Sequence, residues 1–172
     1  MIQEAQNIAR ATLAACPAFQ SLVGVGDEAD ALPFIYHDAF PSPESQRAEH
    51  TRAELTALRP CAIVFMEDSQ GWVVERDASG NEDCWNAYGI VHFVIFRNVP
   101  EADQYNPSKV DTDFRTVIGS IAEQMIGLSE TAPYLAANRI VMSGPHRTML
   151  TELKDIGDAQ QAELIVSWGA SR

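Results

Sequence analysis

The amino-acid sequence predicts an α+β fold, in which a single domain holds an antiparallel or mixed β-sheet of about five strands with helices packed on one face. The chain has 172 residues, close to the size of one ordinary domain. Hydrophobic residues make up 46% of it, which is enough for a substantial core. Apolar runs of strand length are grouped before and after one long stretch of helical periodicity, and this grouping favours α+β.

The first predicted element is a helix at residues 2–16. Apolar side chains recur there at the spacing of one helical face, and Pro17 ends the pattern. The region 18–59 that follows is predicted to be irregular or partly helical, because Gly and Pro interrupt it repeatedly. Within this region, "PFIYHDAF" (33–40) favours a short strand.

A second helix is predicted after Ser42. This serine resembles an N-cap, and Pro43 would occupy the first helical position, where proline is well tolerated. The residues that follow, 44–58, are mostly polar. They predict either a surface helix or a mobile excursion.

Three strands are predicted in the middle of the chain: "CAIVFME" (61–67), "GWVVERD" (71–77) and "CWNAYGIVHFVIFRNV" (84–99). The segment "DASGNED" (77–83) between the last two is rich in turn residues. The three strands would form a β-meander, with the third strand the longest and most central.

The clearest helix is predicted at 107–129, followed by strands at 138–144 and 162–168. The polar stretch 144–161 between these strands has no regular pattern. The helix carries one apolar stripe over more than three turns and would lie across one face of the sheet. The stripe consists of Phe114, Val117, Ile118, Ile121, Met125 and Leu128.

The chain is acidic, with a net charge of −12. Residues 1–86 carry five basic and 14 acidic side chains, and residues 87–172 carry seven and ten. This balance argues against binding to a phosphate backbone or to an anionic membrane surface. It leaves two interpretations: attraction to a basic patch on another protein or another copy, or a charge that only keeps the protein in solution.

Neither a signal peptide nor a membrane span is predicted. Polar residues interrupt the N-terminal segment, and the most apolar run, "AYGIVHFVIF" (87–96), has about half the length of a spanning helix. The three cysteines, Cys16, Cys61 and Cys84, form no C-x-x-C motif. We expect them to be reduced thiols rather than disulfide partners.

His92 lies inside the run 87–96. On a strand, both the face that it shares with Ile90 and Val94 and the opposite face are apolar. Both faces are therefore expected to be covered, one by the long helix and the other by a loop, a neighbouring subunit or residues 18–59. His92 is predicted to be a structural, hydrogen-bonded residue on the less buried face, because no partner for a general base stands at a recognisable spacing.

No catalytic, cofactor or metal site is predicted. The four histidines form no metal-binding motif: His37, His50, His92 and His146. Acidic residues at the ends of the predicted strands favour a solvated turn over a hard-cation site: Glu67, Asp68, Asp77, Glu82 and Asp83. "GVG" (24–26) lacks the context of a phosphate loop, and the acidic neighbours of Cys84 disfavour a reactive thiolate. The tryptophans are predicted to be core or interface anchors: Trp72, Trp85 and Trp168.

The order of elements, closing with "GPHRTMLTELKDIGDAQQAELIVSWG" (144–169), resembles the tail-terminator and tail-completion proteins of long-tailed bacteriophages and prophages. At the residue level the resemblance rests on "GDAQQAELIVSWG" (157–169). It implies a non-catalytic α+β domain without cofactor that forms a ring at the head-proximal end of the tail tube. It also implies contacts with other tail or neck proteins, first in the host cytoplasm and then in the virion tail.

Three hypotheses follow from the sequence. The first is a structural ring or adaptor protein of a phage tail or neck. The second is a small intracellular enzyme with an acid–base histidine, which requires His92 or His37 within hydrogen-bonding reach of another polar side chain. The third is a binding module that holds a small apolar ligand between the sheet and the long helix.

Overall fold

The computed structural model describes residues 2–42, 49–67, 71–75, 84–99, 106–130, 140–142, 147–152 and 159–171. These ranges contain five α-helices: α1 (Ile2–Ala14), α2 (Pro17–Val23), α3 (Glu28–Ala31), α4 (Arg52–Leu58) and α5 (Pro107–Glu130). They also contain seven strands: β1 (Ile35–His37), β2 (Cys61–Met66), β3 (Gly71–Glu75), β4 (Cys84–Asn98), β5 (Ile140–Met142), β6 (Arg147–Glu152) and β7 (Ala159–Ser171). The α+β prediction is confirmed.

The strands form one mixed sheet built around the antiparallel pair β4 and β7. This pair runs without interruption from Asn86 opposite Ser171 to Asn98 opposite Ala159. On the other side of β4 lies β2, and β1 extends the sheet beyond β2 as its parallel neighbour. The prediction that the strand at 84–99 is the longest and most central is confirmed.

The predicted meander is wrong, because β2 and β3 do not pair with each other. Both run antiparallel to β4 along the same side, first β2 and then β3. Met66 lies opposite Val91 and Gly71 lies opposite Tyr88, so the connection between the two strands contains two more residues than the facing stretch of β4. With 15 residues, β4 is long enough to pair with both strands end to end.

The second half of the sheet repeats this arrangement along β7. Here β5 and β6 follow each other along one side, with Met142 opposite Trp168 and Arg147 opposite Ile165. The sequence predicted β5 and β7 as strands but not β6, which lies within the polar stretch 144–161. Its pairing with β7 overrides its weak pattern, because strand formation depends strongly on the neighbouring strand.

Helices α1, α2 and α5 cover one face of the sheet, as predicted. The main core lies between these helices and the inward-facing residues of β2, β4 and β7, which include Val64, Phe93 and Leu164. The predicted stripe of α5 points into this core: Phe114, Ile118, Ile121 and Met125 are buried, and Val117 and Leu128 pack at its margin. Large buried side chains therefore occupy the space between sheet and α5 in which the third hypothesis placed a ligand.

The other face, called the second face below, carries a smaller core. Its buried members are Cys61, Ile63, Val94 and Phe96. The chain after β1 folds over this core, so that the ring of Phe40 lies 5.1 Å from the ring of Phe96. A segment of the region 18–59 is thus one cover of this face, which was one of the three alternatives.

The region 18–59 is more regular than predicted. Pro17 is the first residue of α2 rather than only the end of α1, and Gly24 ends α2 in the left-handed conformation that a glycine adopts without strain. The predicted strand within 33–40 corresponds to β1. Helix α4 begins after Thr51, whose side chain forms a capping box with Glu54. The helix predicted to begin after Ser42 would start within residues 43–48, which lie outside the described residues.

Candidate functional site

His92 lies at the middle of the second face, on the central strand β4. Its neighbours across the sheet are Phe65 of β2 and Ile165 of β7. The imidazole stacks on the ring of Phe65 at a centroid distance of 4.6 Å and an interplanar angle of 6°. Its side chain is 15% exposed, whereas Val91 and Phe93 on the helix-covered face are fully buried. The prediction that His92 lies on the less buried face is confirmed.

His92 has a polar partner that the sequence did not reveal. Its Nδ1 atom lies 2.6 Å from Oε1 of Glu163 on β7. Glu163 stands directly opposite Val94, so its carboxylate reaches His92 diagonally across the strand pair. An ionised carboxylate can only accept a hydrogen bond, so Nδ1 carries a proton and donates a hydrogen bond to Glu163.

The prediction of a hydrogen-bonded His92 is confirmed, and the reason that its partner could not be identified is geometric. Glu163 lies 71 residues further along the chain, and only the register of β4 against β7 brings it to His92. One signal of its role was present in the sequence, because Glu163 is the only charged residue in the strand segment "AQQAELIVSW" (159–168). A single charge within an apolar strand indicates a paired side chain.

A second carboxylate approaches the other nitrogen of His92. Oε2 of Glu67, at the end of β2, lies 4.0 Å from Nε2, which is beyond hydrogen-bonding distance. Nε2 is buried and has no hydrogen-bond partner among the residues that the structure describes. Glu67 is 45% exposed and so connects the cluster to solvent. The cluster of His92, Glu163 and Glu67 is the candidate site of the second face.

The chemistry open to this cluster is proton transfer. Glu163 fixes the orientation and the tautomer of the ring, which leaves Nε2 with a free electron pair that can accept a proton. Its burial beside Phe65 keeps Nε2 from direct contact with solvent. Within the described ranges, no group of three or more His, Cys, Asp or Glu side chains has the geometry to hold a metal ion.

His37 also has a polar neighbour. Its Nε2 atom lies 2.8 Å from Nη1 of Arg10 on α1, on the helix-covered side of the sheet. The contact with Arg10 was not foreseen. Both histidines thus meet the geometric requirement that the enzyme hypothesis set.

His50 lies near α4 and packs edge-on against Phe40, with ring centroids 6.1 Å apart. It borders a cavity of about 530 Å³ whose other lining residues are Pro41, Ser42, Ala53, Glu54, Ala57 and Leu58. This cavity is separate from the cluster around His92. His146 and the acidic residues Asp68, Asp77, Glu82 and Asp83 lie outside the described residues.

Four of the remaining candidates belong to the framework of the fold: Cys16, Cys61, Trp168 and Gly24. Cys16 and Cys61 are free and buried, and burial raises the pKa of each thiol to about 12. Trp168 is buried in the main core. Gly24 of "GVG" ends helix α2. The side chains of Cys84, Trp72 and Trp85 lie outside the described part of the structure.

Comparison with the models of known protein families and with curated proteins gave no match to this chain. The comparisons therefore assign it to no family, and its function is inferred from its own residues and from the resemblance above. Among the described helices, none has both the length and the apolar character that a membrane span requires.

Proposed function

We propose that this protein is a non-catalytic structural subunit of a phage or prophage tail or neck, which forms a ring at the head-proximal end of the tail tube. The resemblance to tail-terminator and tail-completion proteins motivates the proposal, and the α+β fold is compatible with it. The segment on which the resemblance rests, 157–169, contains most of β7, one of the two central strands.

The observation that carries the proposal is the incomplete covering of the second face. Phe65, Ile90 and Ile165 are only partly buried there, around His92. By contrast, Val91 and Leu164, which point to the helix-covered face, are fully buried. Apolar side chains that stay partly exposed beside a buried core are a surface on which another protein can dock.

The charge distribution favours head-to-tail contact between copies. Residues 1–86 have a net charge of −9 and residues 87–172 have −3. A ring that joins the strongly acidic part of one copy to the less acidic part of the next avoids the closest repulsion between like charges. Both parts carry a net negative charge, so salt, which screens exposed charges over about 10 Å at about 0.1 M, should weaken the repulsion between copies.

Sedimentation velocity at rising protein concentration, at low and at high salt, tests the proposal. We expect an oligomer that forms with increasing concentration and is favoured by salt, and rings in negative-stain electron micrographs. Ile165→Lys on the second face should reduce association, whereas Thr116→Lys on the exposed side of α5 adds the same charge and should not. A stable two-fold dimer with a large apolar interface would contradict the ring geometry.

One observation favours a second candidate function, a small intracellular enzyme with an acid–base histidine. The Glu163–His92 pair orients an imidazole whose Nε2 has no hydrogen-bond partner among the described residues, which leaves its lone pair for a proton. In that case His92→Gln and Glu163→Gln should each abolish turnover of a substrate while the circular dichroism spectrum stays unchanged. Full turnover by His92→Gln would exclude this function.

A further inference from the structure

The contact between Arg10 and His37 joins helix α1 to the edge strand β1. Arg10 donates from Nε to the carbonyl oxygen of Ile35 at 2.9 Å and from Nη2 to that of Leu32 at 3.1 Å. Its third donor, Nη1, lies 2.8 Å from Nε2 of His37. A guanidinium group has donors only, so Nε2 must contribute a lone pair. The bound ring of His37 is therefore neutral, with its proton on Nδ1.

The surroundings of His37 oppose its protonation. Burial lowers the pKa of the ring, the positive charge of Arg10 lowers it further, and Asp38 acts in the opposite direction. The carboxylate of Asp38 is engaged elsewhere, since its Oδ1 accepts a hydrogen bond of 2.9 Å from Gln6 of α1. On β2, the residue opposite His37 is Val64, which carries no charge. Among the described residues, Arg10 and Asp38 are the charged groups that face this ring.

The strand that this contact holds has other attachments as well. Ile35 is buried in the main core, the backbone N–H of Asp38 donates to the carbonyl oxygen of Val64 at 3.0 Å, and β1 makes three residue pairs with β2. After β1 the backbone turns at Asp38, which adopts a left-handed conformation with φ of 60°, uncommon for a residue other than glycine. The chain then places Phe40 over Phe96 in the small core of the second face. Release of β1 from α1 would therefore loosen the cover of that core.

We propose that His37 is a pH-sensitive latch, and that its protonation releases residues 35–40 from α1 and uncovers the small core of the second face. A protonated ring has no lone pair for Arg10, and it places a second positive charge 2.8 Å from the guanidinium group. The released state exposes Ile63, Val94 and Phe96. This inference concerns α1 and β1 and does not depend on the function proposed above.

The direction of the pH effect follows from the lowered pKa. The closed state binds a proton at His37 less readily than the released state, in which the ring titrates near about 6.5. The latch is therefore fully closed above about pH 6.5 and opens as the pH falls towards the lowered pKa. Within that interval the equilibrium constant for opening should rise by up to about tenfold per pH unit.

Amide hydrogen exchange followed by NMR between about pH 7.5 and 5 tests the latch. After correction for intrinsic exchange, the amides of residues 35–38 and 61–64 should exchange faster as the pH falls. His37→Gln keeps an acceptor for Arg10 but does not titrate, so its corrected exchange should not change with pH. His50→Gln removes a histidine that packs against Phe40 but does not contact Arg10, so wild-type pH dependence in this variant would assign the dependence to His37.

Two results would overturn the latch: corrected exchange in the wild type that is constant over this pH range, or the same pH dependence in His37→Gln as in the wild type. If His37→Gln fails to fold, titration of the wild-type ring by NMR gives a separate test. A ring of His37 that titrates at or above the usual value near about 6.5 would also exclude the proposal.

Discussion

At the scale of single residues, the contact between His92 and Glu163 is the feature with the clearest energetic consequence. Both side chains are mostly buried, with exposures of 15% and 23%. A hydrogen bond to a charged group contributes about 1.5–3 kcal/mol, and removing one partner leaves the other without compensation. We expect a coupling free energy of about 1–2 kcal/mol between these two residues in a double-mutant cycle.

Urea unfolding of His92→Ala, Glu163→Ala and the double variant measures this coupling. His92→Gln should cost less than His92→Ala, about 1 kcal/mol, because glutamine can still donate to the carboxylate. Glu67→Ala serves as a comparison, since Glu67 lies 4.0 Å from His92 without a hydrogen bond to it, and its coupling to His92→Ala should be smaller. If the losses in unfolding free energy of the two single variants add up to the loss in the double variant, the contact contributes nothing to stability.

The buried cysteines give a second prediction at this scale. With a pKa raised to about 12, only about one in 10⁴ of the thiols of Cys16 and Cys61 is ionised at pH 8. Neither should react with iodoacetamide in the native protein, and both should react after unfolding in urea. Peptide mass spectrometry reads the two sites separately, and rapid native labelling of Cys61 would show that the small core opens readily.

Properties of single residues that depend on their local sequence could be predicted, whereas contacts between residues far apart in the sequence could not. The apolar sequence of β4 predicted a strand, and it indicated that His92 is a structural residue on the less buried face. Glu163 could not be identified as the partner of His92, because the register between the two strands sets this contact. The sequence of either strand alone does not determine that register. Arg10 was hidden for the same reason, since the order of elements does not reveal how α1 packs beside β1.

At the scale of elements, α5 is where the sequence was most informative. Apolar residues at helical spacing predicted residues 107–129, and the helix spans Pro107–Glu130. Local periodicity was sufficient because every hydrogen bond of a helix lies within the helix. The end-to-end placement of β2 and β3 was not predictable in this way, because a strand can pair with either of two neighbours that its own sequence does not distinguish.

The buried stripe of α5 predicts a contrast between two substitutions on this helix. Phe114 is 1% exposed within the main core, and Arg97 lies over its ring at 4.6 Å. Phe114→Ala should lower the free energy of unfolding by about 3–5 kcal/mol, through lost burial and an unfilled cavity. Thr116→Ala, on the exposed side of the same helix, should change it by less than about 0.5 kcal/mol in thermal or urea unfolding.

At the scale of the whole molecule, the composition and the grouping of the elements were sufficient to predict the fold class. They were not sufficient to predict the topology of the sheet. One helical layer on a mixed sheet agrees with the sequence-based prediction. The arrangement of the sheet around two long strands does not follow from composition, because it depends on pairing between distant parts of the chain. The incomplete cover of the second face is likewise a property of the assembled sheet.

The long ladder between β4 and β7 also has a consequence for the rate of folding. Its partners are separated by 61 residues at Asn98–Ala159 and by 85 at Asn86–Ser171. A chain must lose the entropy of closing such loops before the ladder can stabilise it, so sheets with distant partners fold slowly, in about milliseconds to seconds. Stopped-flow refolding should give times in this range. We expect the ladder to form after the transition state of folding. Val166→Ala in β7 should then increase the unfolding rate much more than it decreases the refolding rate.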